Sequence, residues 1–243
     1  MTVSYDAVAS LSTEERCGDN SLSWTHTPSG TPAAIIVIVT TGPTTLVSGD
    51  NAVTAVTYGG VAMTLVQEVH KGTGESGNVW FYELLSGIPT GAQSVVVTTD
   101  ACPPDVNTGS YPWFMAHSVS LASGGGTIAR AATSTLSSDS TATPTITLDA
   151  GSNTGMSIIG GCSGRDAHTD VTAATNCTKL TGYSFTGGQN ACSVVGRQTT
   201  AATGSFAVGF SQTADDATMA AASYYEVASG MSDPMGMSGF FGG

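Results

Sequence analysis

Charge is the scarcest ingredient of this chain. Lys, Arg, Asp and Glu make up 24 of 243 residues, or 10%, against roughly 25% in an average soluble domain. Six are basic, and Arg16, Lys71, Arg130, Arg165, Lys179 and Arg197 each stand alone; eighteen acidic residues leave a net charge of −12. With no basic patch there is nothing to displace the counterions of a phosphate backbone, so nucleic acid is not an expected partner. The same lack argues against an anionic membrane surface. No apolar run approaches the roughly 18 residues of a membrane-spanning helix. The opening MTVSYDAVASLSTEERCGDN has neither a basic start nor an apolar stretch, so no secretory leader is expected.

Cysteine is sparse as well. Cys17, Cys102, Cys162, Cys177 and Cys192 are widely spaced and form no CxxC pair, which removes support for a zinc ribbon or a thioredoxin-type site. They read as small buried hydrophobes. An odd count leaves at least one thiol without an internal partner, and one disulfide among Cys162, Cys177 and Cys192 is compatible with an oxidising medium.

What fills the chain is Gly (31), Ser (29) and Thr (36), together 96 of 243 residues. Hydrophobic residues are 40% and mean hydropathy is +0.13, enough to bury a core and too apolar for a disordered chain. Abundant Thr and Val with little Lys, Glu, Gln and Leu favour strands over helices. Period-2 runs separated by Gly, Pro, Ser and Asp predict strands at 2–8, 21–26, 33–40, 53–58, 61–70, 78–85, 93–99 and 113–121. The second half adds 144–149, 154–160, 180–186, 191–199, 204–211 and 219–227. The unbroken run Ile35-Ile36-Val37-Ile38-Val39 reads as a central strand covered on both faces. Ser12–Arg16 reads as one capped helical turn. Residues 122–143 read as a Ser/Thr-rich crossover, and 71–77 and 100–112 as long surface loops.

About fourteen short strands predict an all-β fold, an antiparallel two-sheet sandwich of jelly-roll-like form. The sandwich spans 1–228. Residues 229–243 (SGMSDPMGMSGFFGG) form an extended C-terminal tail that cannot build its own core. Met231, Met235, Met237, Phe240 and Phe241 are the adaptable and large apolar contacts of a docking segment, and are the expected partner-binding residues.

Catalytic signals are weak, and no enzyme activity or cofactor is expected. No GxSxG occurs, and no carboxylate pair is flagged for glycoside hydrolysis. His26, His70 and His117 read as hydrogen-bonded structural residues. Asp166, His168 and Asp170 alternate, so an extended backbone would aim all three at one face and make a weak metal candidate. Tyr111 and Trp113 beside Asp105 and Asn107 are the candidate glycan contacts, with core packing the plainer reading for Trp113.

The stretch 53–99 is the most specific. A strand ending Thr57-Tyr58-Gly59-Gly60 leads into Val61-Ala62-Met63-Thr64-Leu65-Val66, an aromatic strand, Ile88-Pro89-Thr90-Gly91 and a Val-rich strand. This arrangement resembles a family of β-sandwich structural proteins encoded by tailed bacteriophages and bacterial genomes. The resemblance extends loosely over 30–220, and its motifs are structural, so no catalytic residue is carried over. It implies a virion structural protein: an outer capsid decoration (cement) or fibre component on the virion surface. Its expected partners are copies of itself, as a trimer or repeated array, and a major capsid or other virion protein. A carbohydrate-binding, receptor-binding module and a self-assembling extracellular filament subunit are the alternatives.

Overall fold

The computed structural model describes residues 2–16, 21–42, 52–71, 77–100, 113–165, 167–174, 176–185 and 191–228. In chain order the first strands are β1 (Ser4–Ser10), β2 (Glu15–Arg16), β3 (Ser21–His26), β4 (Ala34–Thr41), β5 (Val53–Tyr58), β6 (Val61–Ala62), β7 (Thr64–Val69), β8 (Val79–Leu84), β9 (Gln93–Thr99) and β10 (Trp113–Ala122). Then come β11 (Thr127–Thr141), β12 (Thr145–Asp149), β13 (Gly155–Ser163), a 3-10 turn (His168–Asp170), β14 (Thr172–Ala173), β15 (Cys177–Ser184), β16 (Cys192–Gln198), β17 (Ser205–Ser211) and β18 (Asp215–Val227).

The chain forms the expected all-β antiparallel sandwich. Among the described residues its sheets number four where two were expected. The first half builds a large sheet ordered β1-β10-β4-β8-β7, with β2 also on β10, against a small sheet β3-β9-β5-β6. The second half builds a large sheet β11-β18-β13-β16-β15 and a small sheet β12-β17-β14. With β2 and β6 set aside and the equally short β14 kept, both halves number eight strands among the described residues in the same order: 1-8-3-6-5 in the large sheet and 2-7-4 in the small one.

The two large sheets pack against each other, giving four layers and three apolar interlayers. Alternation on β4 sorts its side chains between two of them. Ile35, Val37 and Val39 join Leu22, Trp24, Val56 and Val97 of the first small sheet. Ala34, Ile36 and Ile38 join Ile158, Val195, Ala220 and Tyr224 across the seam between halves. The third interlayer closes the second half, with Ile159, Val194 and Met219 on Ile146, Leu148, Val208 and Phe210. A strand between two apolar interlayers has no solvent face, which is why every residue of β4, β8 and β13 is buried. Strands of the small sheets alternate instead: in β3, Ser21, Ser23 and Thr25 are exposed while Leu22, Trp24 and His26 are buried. At the seam, Gly160 permits the close approach of β4 and β13. A Cβ there would lie 2.7 Å from Ile38 Cδ1 and 2.7 Å from Val195 Cγ2.

The turn after Tyr58 has φ of +56° at Gly59 and +81° at Gly60, the two-residue hairpin geometry that side chains resist. A Cβ on Gly59 would also meet Pro89 Cγ at 2.9 Å. Gly59→Val is therefore expected to cost about 2 kcal/mol or more, lowering Tm by about 4–8 °C in a thermal melt for a chain of this size.

Two further sequence readings are corrected. The 122–143 crossover is mostly β11, a 15-residue strand at the edge of its sheet, whose hydroxyl side chains suit an exposed edge better than a core. The passage between halves is only Ser123–Gly126, where Glu226 accepts from the amides of Gly124 (3.1 Å) and Gly126 (2.6 Å). Ser12–Arg16 does not make a helical turn. Glu15 and Arg16 pair with Phe114 and Trp113 of β10, because pairing satisfies their backbone where one isolated turn would not. The 100–112 loop beyond Asp100, loop positions 72–76 and the tail 229–243 lie outside the described residues.

Candidate functional site

The chemistry-bearing side chains gather inside the fold. β1, β10 and β4 of the first half bring Ser10, His117 and Thr40 to Ser193 on β16 of the second half. His117 Nδ1 lies 2.7 Å from Ser10 Oγ and Nε2 lies 2.9 Å from Ser193 Oγ. Thr40 Oγ1 donates to Ser193 Oγ at 2.8 Å. Thr40 Oγ1 also lies 3.3 Å from the Met115 carbonyl, so either neutral tautomer has both ring nitrogens occupied, one donating to its serine hydroxyl and the other accepting. Burial first, and the charge of His168 second, lower the His117 pKa to about 3.

Ser193 beside His117 has the contact of a nucleophile and its base. However, His117, Ser193 and Thr40 have no exposed surface, and the group behind the imidazole is a hydroxyl instead of a carboxylate. The arrangement can orient an imidazole and tie the two halves together; it presents no face to a substrate.

A second imidazole is buried on the other side of β10. Ser118 Oγ accepts from Trp24 Nε1 at 2.9 Å and sits 2.9 Å from His26 Nδ1, while His26 Nε2 is buried without a partner. The edge of the His26 ring faces Tyr58, with centroids 6.1 Å apart. Burial lowers the His26 pKa to about 4, against an opposing pull from Asp6.

Charged groups also cross the seam. Arg130 Nη1 on β11 donates to Glu83 Oε1 on β8 at 2.6 Å, with the Glu83 side chain 8% exposed and Arg130 36%. Tyr224 is fully buried beside them. Burial, then the Glu83 carboxylate, push its phenol well above the ordinary value. Lys71, its side chain 5% exposed, pairs with Asp139 and lies 3.9 Å from Asp216. On the opposite flank the Arg197 guanidinium stands 5.1 Å over the Tyr5 ring.

Of the weak metal candidates, only His168 and Asp170 fall among the described residues. His168 and Asp170 sit in the 3-10 turn, closed by Asp170 N to Ala167 O at 3.0 Å, so the extended alternation that would align them is absent. Asp166 lies outside the described residues. His168 Nδ1 is 3.0 Å from Ser184 Oγ, and Asp170 is 3.6 Å from Arg165, which also donates to Asp215. The Lys179 ammonium donates to the carbonyls of His168 and Val171, occupying the place where carbonyl oxygens would serve a cation. Among the described residues no three of His, Cys, Asp and Glu are grouped to hold a metal.

Of the glycan candidates, Trp113 is half-buried and packs against the interlayer of the first half; Asp105, Asn107 and Tyr111 lie outside the described residues, as do Met231, Met235, Met237, Phe240 and Phe241. Cys162, Cys177 and Cys192 are buried free thiols, so the disulfide compatible with their spacing is not formed among them. Cys162 pairs in register with Ser193 and Cys192 with Ser163, which puts the two sulfurs on opposite faces of the sheet. Burial pushes the Cys192 thiol up to about 12.

Sequence reasoning placed His117 and His26 on strands but not their partners. Ser10 and Ser193 are 107 and 76 positions away from His117, and no local spacing signals such a contact. Among the described residues no helix is long and apolar enough to cross a membrane. Comparison with protein-family models, curated proteins and solved structures finds no match.

Proposed function

We propose that this chain is a structural subunit of a larger protein assembly, an outer capsid decoration or fibre component of a virion, with each half a jelly-roll-like sandwich. One observation carries the reading: among the described residues the outer faces of the four-layer stack carry little charge, with Asp149 exposed at the end of β12. On the first small sheet, Ser21, Ser23 and Thr25 lie in register with Thr98, Val96 and Ser94. On the second, Thr145 and Thr147 lie beside Gly209 and Ala207. Short hydroxyl and methyl side chains lose little rotamer freedom when covered, whereas Lys or Glu lose about 1.5–2 kcal/mol each, and they leave no charge to desolvate. Weak contacts of this kind gain strength by repetition in an array. The buried chemistry and the Met- and Phe-rich 229–243 segment fit the same role.

Sedimentation velocity of the full chain, alone and with the particle proteins it is produced beside, tests this. Ser23→Lys with Thr98→Lys, and separately removal of 229–243, are expected to abolish or weaken assembly at unchanged Tm, since exposed substitutions usually change stability by about 0.5 kcal/mol or less. A chain that stays monomeric under all conditions, or assembles unchanged in both variants, would overturn the reading.

One observation favours glycan binding as a second reading. A shallow cleft of about 310 Å³ brings together Arg130, Asp149, Asn153 and the half-buried Tyr225. An aromatic residue beside a carboxylate and an amide suits a sugar. Binding on a glycan array that is lost in Tyr225→Ala would move the function there.

A further inference from the structure

We propose that this chain is a dimer made in one piece: two copies of one eight-strand module, paired through the same face of each, with the Ser123–Gly126 connection dispensable for the pairing. The inference concerns the seam and stands apart from what the outer faces bind.

Three observations carry it. Both halves share one wiring, 1-8-3-6-5 against 2-7-4. Several seam contacts also come in mates, as an isologous interface requires, although the packing of β7 on β11 and β18 has no counterpart of like extent at β15. β8 meets β11 through Glu83 and Arg130, and the equivalent strands β16 and β1 meet through Arg197 and Tyr5. β10 meets β16 through His117 and Ser193, and the equivalent β18 packs on β8. The two third strands, β4 and β13, meet each other at Ile38 and Gly160, as strands on a two-fold axis must.

The third observation is in the sequence. Val-Thr-Ala stands at 53–55 and again at 171–173, in or just before the fourth strand of each module. Thr-Gly precedes the seventh strand at 90–91 and 203–204, with φ of +74° at Gly91 and +73° at Gly204. Four and six residues beyond each glycine come the core-facing Val95 and Val97 in one half and Val208 and Phe210 in the other.

A two-module chain presents each outward surface twice, at opposite ends of the stack, so it is two-ended by construction. The partner each large-sheet face fits is a second copy of the same module, supplied in cis.

The test uses the full chain with a protease recognition site inserted after Gly125, an exposed glycine with nothing near its Cβ position; insertion between Ser123 and Gly124 is the alternative should the first fail to fold. After cleavage of the folded protein at neutral pH, size-exclusion chromatography and native mass spectrometry are expected to find the halves together, one to one, at low micromolar concentration. Halves that separate or unfold on cleavage would overturn the proposal. In the cleaved protein, Arg130→Glu is expected to weaken pairing at least tenfold, and Glu83→Arg added to it to restore most of the loss. Pairing indifferent to both changes would show that the halves meet elsewhere.

Discussion

Acidification from pH 7 to pH 5 is expected to lower the unfolding free energy by about 3–4 kcal/mol, through His117 and His26 alone. Both side chains have no exposed surface and pKa values lowered to about 3 and about 4. In the unfolded chain each returns to roughly 6.5. Between those values the unfolded state holds two protons that the native state refuses, so stability falls as pH drops. The loss begins near pH 6.5, approaches a slope of about 1.4 kcal/mol per pH unit for each histidine, and levels off below the native values. The hydroxyls of Ser10, Ser193 and Ser118 explain why the native state refuses: they satisfy a neutral ring and offer no negative charge to an imidazolium. Urea titrations at several pH values measure the effect, and His117→Asn is expected to halve the slope. A stability flat between pH 7 and 5 would contradict the placement of both rings.

Arg130→Ala is expected to destabilise by about 3 kcal/mol, because it strands a carboxylate in the interior. Glu83 is 6% exposed, and its Oε2 is buried without a partner even with Arg130 in place. The fully buried Tyr224 beside it gives no compensating positive charge. Arg130 keeps one edge in water, which sets the cost toward the lower end of what a severed buried pair brings. Adding Glu83→Gln removes the stranded charge, so the double variant is expected to be more stable than Arg130→Ala alone. Denaturant unfolding of the four proteins in the cycle measures the coupling. Purely additive losses would mean that the two side chains do not share the seam.

Much of this fold is legible in the residues, and the limits have physical causes. β3, β5 and β9 fall at the bounds expected from alternation, because one face of each meets water and the other a core. β4 is legible for the opposite reason, an unbroken apolar run with no solvent face. β11 is hidden. Its exposed Thr133, Thr135 and Ser137 alternate with half-buried Ser134, Leu136 and Ser138, so both faces are largely hydroxyl and no hydrophobic period survives. The division of faces is hidden too. Ile36 and Phe81 are as apolar as Ile35 and Trp80, and nothing in the residues says that one set faces a small sheet while the other faces a second module. The hydroxyl–imidazole cluster depends on contacts between Ser10, Thr40, His117 and Ser193, each contributed by a different strand, and local pattern carries no trace of them.

Native-state hydrogen exchange of the full chain at pH 7, resolved to single strands, bears most directly on the two modules being one body joined at the seam. The expected result is that β4, β8 and β10 share the slowest exchange with β13, β16 and β18, at one common opening free energy, while β3 and β12 exchange earlier. One half exchanging completely while the other stays protected would contradict it.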